Sequence, residues 1–139
     1  MPTVDDGTLT LVSRATRPVQ LVIPAHAQYL RLARLTAAGL ADDLGFRVDA
    51  IEDLRVAIDE LAAAIIAGAP PDAELELIYH DDDDAIVIEG TCRARTTEGP
   101  ALHAVARELL NMLADEYAIG PVGGRRTFRL VKHARGRPA

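Results

Sequence analysis

The sequence predicts a two-layer α/β (α+β) sandwich, in which a mostly antiparallel sheet is covered on one face by three helices. Residues 73–80 (AELELIYH) alternate apolar and polar side chains, and an acidic turn leads from them into 85–90 (AIVIEG), so the pair is typical of a hairpin. Three longer segments repeat apolar residues every three or four positions, as helices with one buried face do. The predicted order is strand, two helices, two strands, helix, strand, which favours helices segregated to one side of an antiparallel sheet.

The first strand and the first helix are bounded by Pro24 and Gly45. Residues 19–23 (VQLVI) are apolar and largely β-branched, and the run stops at Pro24, which cannot donate to a strand ladder. A helix is predicted over residues 27–44, and Gly45 supplies the left-handed residue that helix ends favour. Its predicted apolar face is Leu30, Ala33, Ala37, Leu40 and Leu44.

The second and third helices are predicted from the same kind of spacing. Asp49 followed by Glu52 indicates a variant of the capping box, and Gly68 with Pro70 closes the second helix. The third helix is predicted to end near Glu116, and a turn at two glycines then precedes the last strand, 126–132 (RTFRLVK). The predicted apolar faces are Ile51, Leu54, Ile58, Leu61 and Ile65 for helix two, and Leu102, Val105, Leu109 and Met112 for helix three.

Length, charge and composition exclude several classes of protein. At 139 residues the chain has the size of one domain, predicted as an arm or weak edge strand (1–17), a folded domain (18–133) and a basic tail (134–139). A net charge of −6 disfavours nucleic-acid binding. No apolar run approaches the roughly 20 residues that cross a bilayer, and the start lacks signal-peptide features, so we expect a cytoplasmic protein. The single Cys92 cannot form an internal disulfide, and we do not expect it to be a nucleophile.

One carboxyl group on the second helix is a candidate acid or base. Glu60 has Val56 and Ala57 one turn before it and Ala63 and Ala64 one turn after it, so no cation lies at helical spacing. A carboxyl group among apolar neighbours is poorly solvated, a setting common at functional sites. In the alternative interpretation, Glu60 lies at the edge of the apolar stripe with its carboxylate in water.

No metal site is expected from the sequence. The acidic run 81–84 is interpreted as a solvated hairpin tip, because four adjacent side chains in a tight turn point in different directions. The four histidines are scattered and lack the spacings that zinc sites use.

Several stretches of the chain follow the layout of one known family. Residues 19–66 include a strand ending in Pro-Ala, an Arg-Leu pair in helix one and a helix reading L-x-x-A-x-x-E. LLNMLADEY and GGRRTFRLVKH follow later as a helix and a closing strand. In these features the chain resembles the RsbW-like anti-sigma factor and serine kinase family, which has the GHKL (Bergerat) ATPase fold. The resemblance covers nearly all of residues 19–133 and implies the same fold.

The resemblance also implies a nucleotide site, in which most of the family's residues are replaced here. In the family motif E-x-x-x-N, the Glu is the general base of phosphoryl transfer and the Asn holds Mg²⁺; Glu60 matches the first position and Ala64 stands at the second. The motif D-x-G-x-G corresponds to 90–94, which begins at Gly90 and lacks the Asp. The later phosphate-binding G-x-G is reduced to Gly99 or, in another alignment, to nearby alanines.

The implied function is that of a regulator that sequesters an alternative sigma factor. No cofactor is expected, and ATP and magnesium would bind weakly or not at all. The family docks partners on helix one, where Arg31 and Arg34 form a candidate partner-binding patch, with two solvated arginines as the alternative. The implied partners are a sigma factor, a STAS-type anti-anti-sigma factor and a second copy of the chain. Two other functions stay open: an active serine kinase that uses Glu60, and a non-catalytic dimerisation module.

Overall fold

The described residues form a sheet of five antiparallel strands in the order β1-β2-β3-β5-β4. The structure, a computed structural model, describes residues 17–95 and 99–134. The predicted arm and tail lie outside the described residues, except for Arg17 and Ala134. The strands are β1 Val19–Pro24, β2 Glu74–Asp82, β3 Ala85–Arg93, β4 Glu116–Val122 and β5 Arg125–His133.

Three α-helices of the described chain pack together with one face of this sheet in a single main core. They are α1 Leu30–Asp43, which follows a 3₁₀ turn at Ala27–Tyr29, α2 Val48–Ile66 and α3 Ala104–Leu113. The predicted two-layer α/β sandwich is therefore confirmed.

Alternate strand residues face the helices, as the sequence of β2 predicts. Leu75, Leu77 and Tyr79 are buried, whereas Glu74 is exposed and Glu76 is half-buried on the other face. The Tyr79 hydroxyl donates a 3.0 Å hydrogen bond to the Ala33 carbonyl oxygen and so ties β2 to α1. Desolvation by burial raises the pKa of Tyr79 well above its ordinary value.

The helix layer is filled by small residues on α1 and branched residues on α2. Alanines on the inner side of α1 let that helix approach its neighbours closely, while the predicted stripe of α2 supplies the bulk of the core. Ile51 is only partly buried, and the rest of the stripe is inaccessible to solvent. The fully buried residues of these two helices are Ala37 and Ala41 on α1, and Leu54, Ala57, Ile58, Leu61 and Ile65 on α2.

The predicted capping box at the start of the second helix is wrong. Arg47 is the extended N-cap residue and its side chain makes no cap hydrogen bond. Asp49 already lies inside the first turn, where its Oδ1 accepts a 3.0 Å hydrogen bond from the backbone N–H of Ala50. Because the helix begins at Val48, Asp49 acts as an anion near the positive end of the helix and not as its cap.

The segment after α3 is a strand that the sequence analysis missed. The third helix ends at Leu113 and not near Glu116, which is the first residue of β4. Gly120 and Pro121 conceal the strand in the sequence, because both residues are rare inside central strands. β4 lies at the edge of the sheet, where a proline can be accommodated, and a turn at Gly123 and Gly124 connects it to β5.

The predicted apolar face of the third helix is also wrong in orientation. Val105 is 69% exposed and Met112 is 76% exposed, while the buried residues of α3 are Ala106 and Leu110. The apolar side of this helix is wider than the surface that packs in the core. The spacing of apolar residues therefore does not show which of them are buried, and it placed Val105 and Met112 in the core instead of Ala106 and Leu110.

Candidate functional site

A cleft of about 170 Å³ lies between α2 and the chain that enters α3. The family positions Glu60 and Ala64 face it from α2, because residues four apart share one side of a helix. The structure thus brings these two predicted site residues together. The lining is completed by Ala63 and Ala67 on one side and by Ala101, Leu102, His103 and Ala106 on the other.

Glu60 and His103 are the polar side chains of this lining. Glu60 is half-buried, so it is neither enclosed in the core nor fully exposed. His103 is exposed and is the N-cap residue of α3, where its side chain makes no capping hydrogen bond. The sequence analysis missed His103, because a single histidine in a loop carries no spacing signal.

The rest of the cleft is lined by alkyl groups. Ala64 presents a methyl group at the position where the family has an amide oxygen, and a methyl group cannot coordinate Mg²⁺. Among the described residues, no group of three or more His, Cys, Asp or Glu side chains could hold a metal ion. The acidic run 81–84 is exposed and consists of the last two residues of β2 and the two turn residues that connect β2 to β3.

Gly90 and Gly99 lie outside this cleft. Gly90 is buried in β3, opposite Phe128 of β5, and a Cβ built on it would lie 2.3 Å from Cε2 of the Phe128 ring. The missing side chain therefore makes room for an aromatic ring of the core. Gly99 lies beside β4, where an added Cβ would be 3.1 Å from Cδ of Pro121.

Arg126 connects the start of β5 to the end of α2. Its Nη1 donates a 2.6 Å hydrogen bond to the carbonyl oxygen of Ala67, one of the residues that line the cleft. This contact satisfies a carbonyl group at a helix end and places positive charge at the negative end of the helix. The Nε of Arg126 is buried and has no hydrogen-bond partner in the described chain.

The two predicted partner-binding arginines have different surroundings. Arg34 donates a 2.6 Å hydrogen bond through Nη1 to Oδ1 of Asp59 on α2, and both side chains are about one-third exposed. Arg31 is exposed one turn earlier on α1. The sequence analysis missed Asp59 as a partner, because the contact joins residues that are 25 positions apart.

Comparison with known proteins finds relatives in sequence and a structure with the same fold. The chain is 35% identical over 105 residues to the protein named anti-sigma-F factor RsbW of Mycobacterium tuberculosis, over 74% of this chain and 61% of that protein. It is also 35% identical over 72 residues to the serine-protein kinase RsbW of Bacillus cereus, over 50% of this chain and 45% of that protein. The chain is a homologue of the RsbW proteins. No protein-family model matches it.

A solved structure shows the same fold for this RsbW homologue. The crystal structure of the RsbU and RsbW domains of a Mycobacterium tuberculosis protein matches with a TM-score of 0.65 and 19% identity, over 89% of this chain and 34% of that one. This neighbour has the GHKL-like fold. The chain spans less than two-thirds of the length of each of these RsbW relatives.

The thiol of the single cysteine, Cys92, is buried. Cys92 on β3 is fully buried, and desolvation raises the pKa of its thiol despite the nearby Arg125, Arg126 and Arg93 guanidinium groups. A thiol with a raised pKa is a weak nucleophile at neutral pH.

The described residues include no helix long and apolar enough to cross a membrane.

Proposed function

We propose that this RsbW homologue is an anti-sigma regulatory factor that binds and sequesters an alternative sigma factor. The observation that carries the proposal is its 35% identity, over 74% of the chain, to a protein named anti-sigma-F factor. The bound sigma factor would be kept from RNA polymerase. The other proposed partners are a STAS-type anti-anti-sigma factor that displaces the sigma factor and a second copy of the chain. We propose a cytoplasmic location for all of them.

The proposed regulator works by binding and has no need of a nucleotide. In the cleft, Ala64 offers no magnesium ligand, and Gly90 and Gly99 have become parts of the packing around Phe128 and Pro121. Each missing polar contact costs about 1 to 3 kcal/mol, and each 1.4 kcal/mol is about a factor of ten in affinity. The loss of three contacts therefore weakens nucleotide binding by several orders of magnitude.

The proposed docking surface is the outer side of α1 and α2. Two apolar side chains are exposed on these helices: Leu35 on α1 is 58% exposed and Val56 on α2 is 40% exposed. The ion pair between Arg34 on α1 and Asp59 on α2 joins the two helices. An interface of this kind combines apolar contact with a few charged groups that set the orientation. A partner carboxylate would bind Arg31 and would compete with Asp59 for Arg34.

Phosphoryl transfer is the second candidate function. Glu60, the family's general base, is retained and half-exposed in the cleft, and a relative that matches half of this chain is named a serine-protein kinase. A kinase needs a bound magnesium nucleotide, so this candidate requires other groups to replace the residues that are missing here.

The experiment that tests the first proposal is a binding titration of the purified chain against each alternative sigma factor of the same genome. We expect one of them to form a stable complex, which Arg34→Ala weakens at least tenfold. Arg129→Ala is the matched control, because Arg129 is an exposed arginine on β5, opposite Glu89 on the face of the sheet away from the helices. Binding of no sigma factor by the folded wild-type chain would contradict the proposal, and an equal loss in both variants would contradict the proposed surface.

A further inference from the structure

The open face of the sheet, which is the face away from the helices, carries a trough of about 480 Å³. Its floor is a row of small residues that strand pairing places side by side. Thr91 on β3 is opposite Thr127 on β5, which is opposite Gly120 on β4. Neighbouring strands lie about 4.8 Å apart, so this row and the trough above it run across the sheet. The volume is in the range of small-molecule sites.

The next row of the sheet places two opposite charges in the lining of the trough. Glu89 on β3 is directly opposite Arg129 on β5, and opposite charges in such positions normally attract one another across the strands. Here Oε1 of Glu89 lies 3.2 Å from Nε2 of His80 on β2. Nη1 of Arg129 lies 4.0 Å from Oε1 of Glu116 on β4. The two charged side chains therefore turn toward the strands on either side and not toward each other.

Both charged groups keep bonding capacity for a ligand. A separation of 4.0 Å is too long for a hydrogen bond, so Glu116 leaves the N–H donors of Arg129 available to another acceptor. Glu89 uses one carboxylate oxygen on His80, and its second oxygen can accept as well. The side chains of Glu89 and Arg129 are 49% and 50% exposed, so a ligand can reach them from solvent.

The trough beside these charges is largely apolar. Ile78 on β2 lines it, as do Ala118 and Val122 on β4. Within the described residues, a Cβ added at Gly120 would have no atom beyond its immediate neighbours within 4 Å, so the floor is open at that point. An apolar group bound here would lie close to one positive and one negative charge.

We propose that the open face of the sheet binds a free α-amino acid with a large apolar side chain. The α-carboxylate accepts hydrogen bonds from the Arg129 guanidinium, and the α-ammonium donates to the Glu89 carboxylate. The apolar side chain of the ligand lies over the floor formed by Thr91, Thr127 and Gly120.

Charge complementarity selects this class of ligand. An α-amino acid carries both of its charges on one carbon atom, and Glu89 and Arg129 are likewise direct neighbours across two strands. A dicarboxylate would repel Glu89, and a diamine would repel Arg129. The site lies on the opposite face of the sheet from α1 and α2, so it does not depend on the sigma-factor proposal.

The test is a titration of the full chain with L-phenylalanine, followed through backbone amide signals in NMR spectra. We expect saturable shifts at Thr91, Gly120 and Thr127. The analogue 2-phenylethylamine lacks the carboxylate and 3-phenylpropionate lacks the ammonium group, so each should bind at least tenfold more weakly. The absence of saturable shifts at these residues, or binding of either analogue as tight as that of L-phenylalanine, would overturn the inference.

Two variants test the ammonium contact. Glu89→Gln removes the charge assigned to it, and we expect at least tenfold weaker binding of L-phenylalanine. Glu74→Gln is the matched control, because Glu74 is an exposed carboxylate on the same face of β2 that does not line the trough. It should bind as wild type does, and equal weakening in both variants would overturn the inference. Unchanged amide signals of α1 and α2 show that each variant is folded.

Discussion

The guanidinium of Arg34 on α1 donates a 2.6 Å hydrogen bond to the carboxylate of Asp59 on α2, one residue before Glu60. This contact connects the proposed docking surface to the helix that forms one wall of the cleft. The positive charge of Arg34 is therefore already balanced within the chain. A partner that binds Arg34 through a carboxylate has to replace the Asp59 carboxylate as the acceptor of this hydrogen bond.

The first prediction concerns the stability that this ion pair contributes. Both side chains are about one-third exposed, so solvent screens their attraction. A double-mutant cycle of Arg34→Ala and Asp59→Ala, measured by urea unfolding, should give a coupling energy of about 0.2 to 1 kcal/mol. A coupling energy several times larger would mean that the pair is a main element of the fold and is not available to a partner.

The second prediction concerns Gly90, which the family resemblance assigns to the nucleotide site and the structure places under an aromatic ring. A Cβ at this position would lie 2.3 Å from Cε2 of Phe128, so Gly90→Ala forces the ring to move. Overpacking of this kind should lower the free energy of unfolding by about 1 to 3 kcal/mol. Phe128→Leu in the same chain should recover part of that loss.

Gly120→Ala is the control for Gly90→Ala. Gly120 is also a strand glycine, but within the described part of the chain no atom beyond its immediate neighbours lies within 4 Å of an added Cβ there. Its effect on the free energy of unfolding should stay within about 0.5 kcal/mol. Equal effects of the two substitutions would show that loss of glycine flexibility, and not the Phe128 ring, determines the result.

The third prediction is a pH dependence caused by Tyr79. The pKa of a tyrosine hydroxyl is ordinarily 10.0, and desolvation by burial raises it in the folded chain. The hydroxyl of Tyr79 therefore ionises at a lower pH in the unfolded chain than in the folded chain. The contribution of neutral Tyr79 to the free energy of unfolding is complete below pH 10 and is lost as the pH rises above 10. Above pH 10 the free energy of unfolding of wild type should fall more steeply than that of Tyr79→Phe. Parallel curves would contradict this account of Tyr79.

Much of the fold was predictable because its elements carry regular patterns. The alternation through Leu75, Leu77 and Tyr79 identified β2, and the spacing from Leu54 to Ile65 identified α2, since these residues face one continuous core. β4 was missed because an edge strand tolerates the glycine and proline that suggest a loop. The orientation of α3 was missed because its apolar arc is wider than the surface available to bury it.

The candidate site was predictable only in its local part. Glu60 and Ala64 are four residues apart on one helix, so their common side follows from the helix itself. His103 and Asp59 depend on contacts between segments distant in the sequence, which spacing does not report. Gly90 was assigned to nucleotide binding by resemblance, and its contact with Phe128 became visible only when β3 and β5 were paired in register.

A calorimetric titration of the wild-type chain with ATP and Mg²⁺, alongside Ala64→Asn, tests the central claim most directly. That claim is that the cleft of this RsbW homologue has lost the groups that hold a magnesium nucleotide and that the protein acts by binding its partners. We predict no saturable binding by the wild type and at most weak binding by Ala64→Asn, which restores one ligand of several. Tight, saturable binding of Mg²⁺ and ATP by the wild type would contradict the claim.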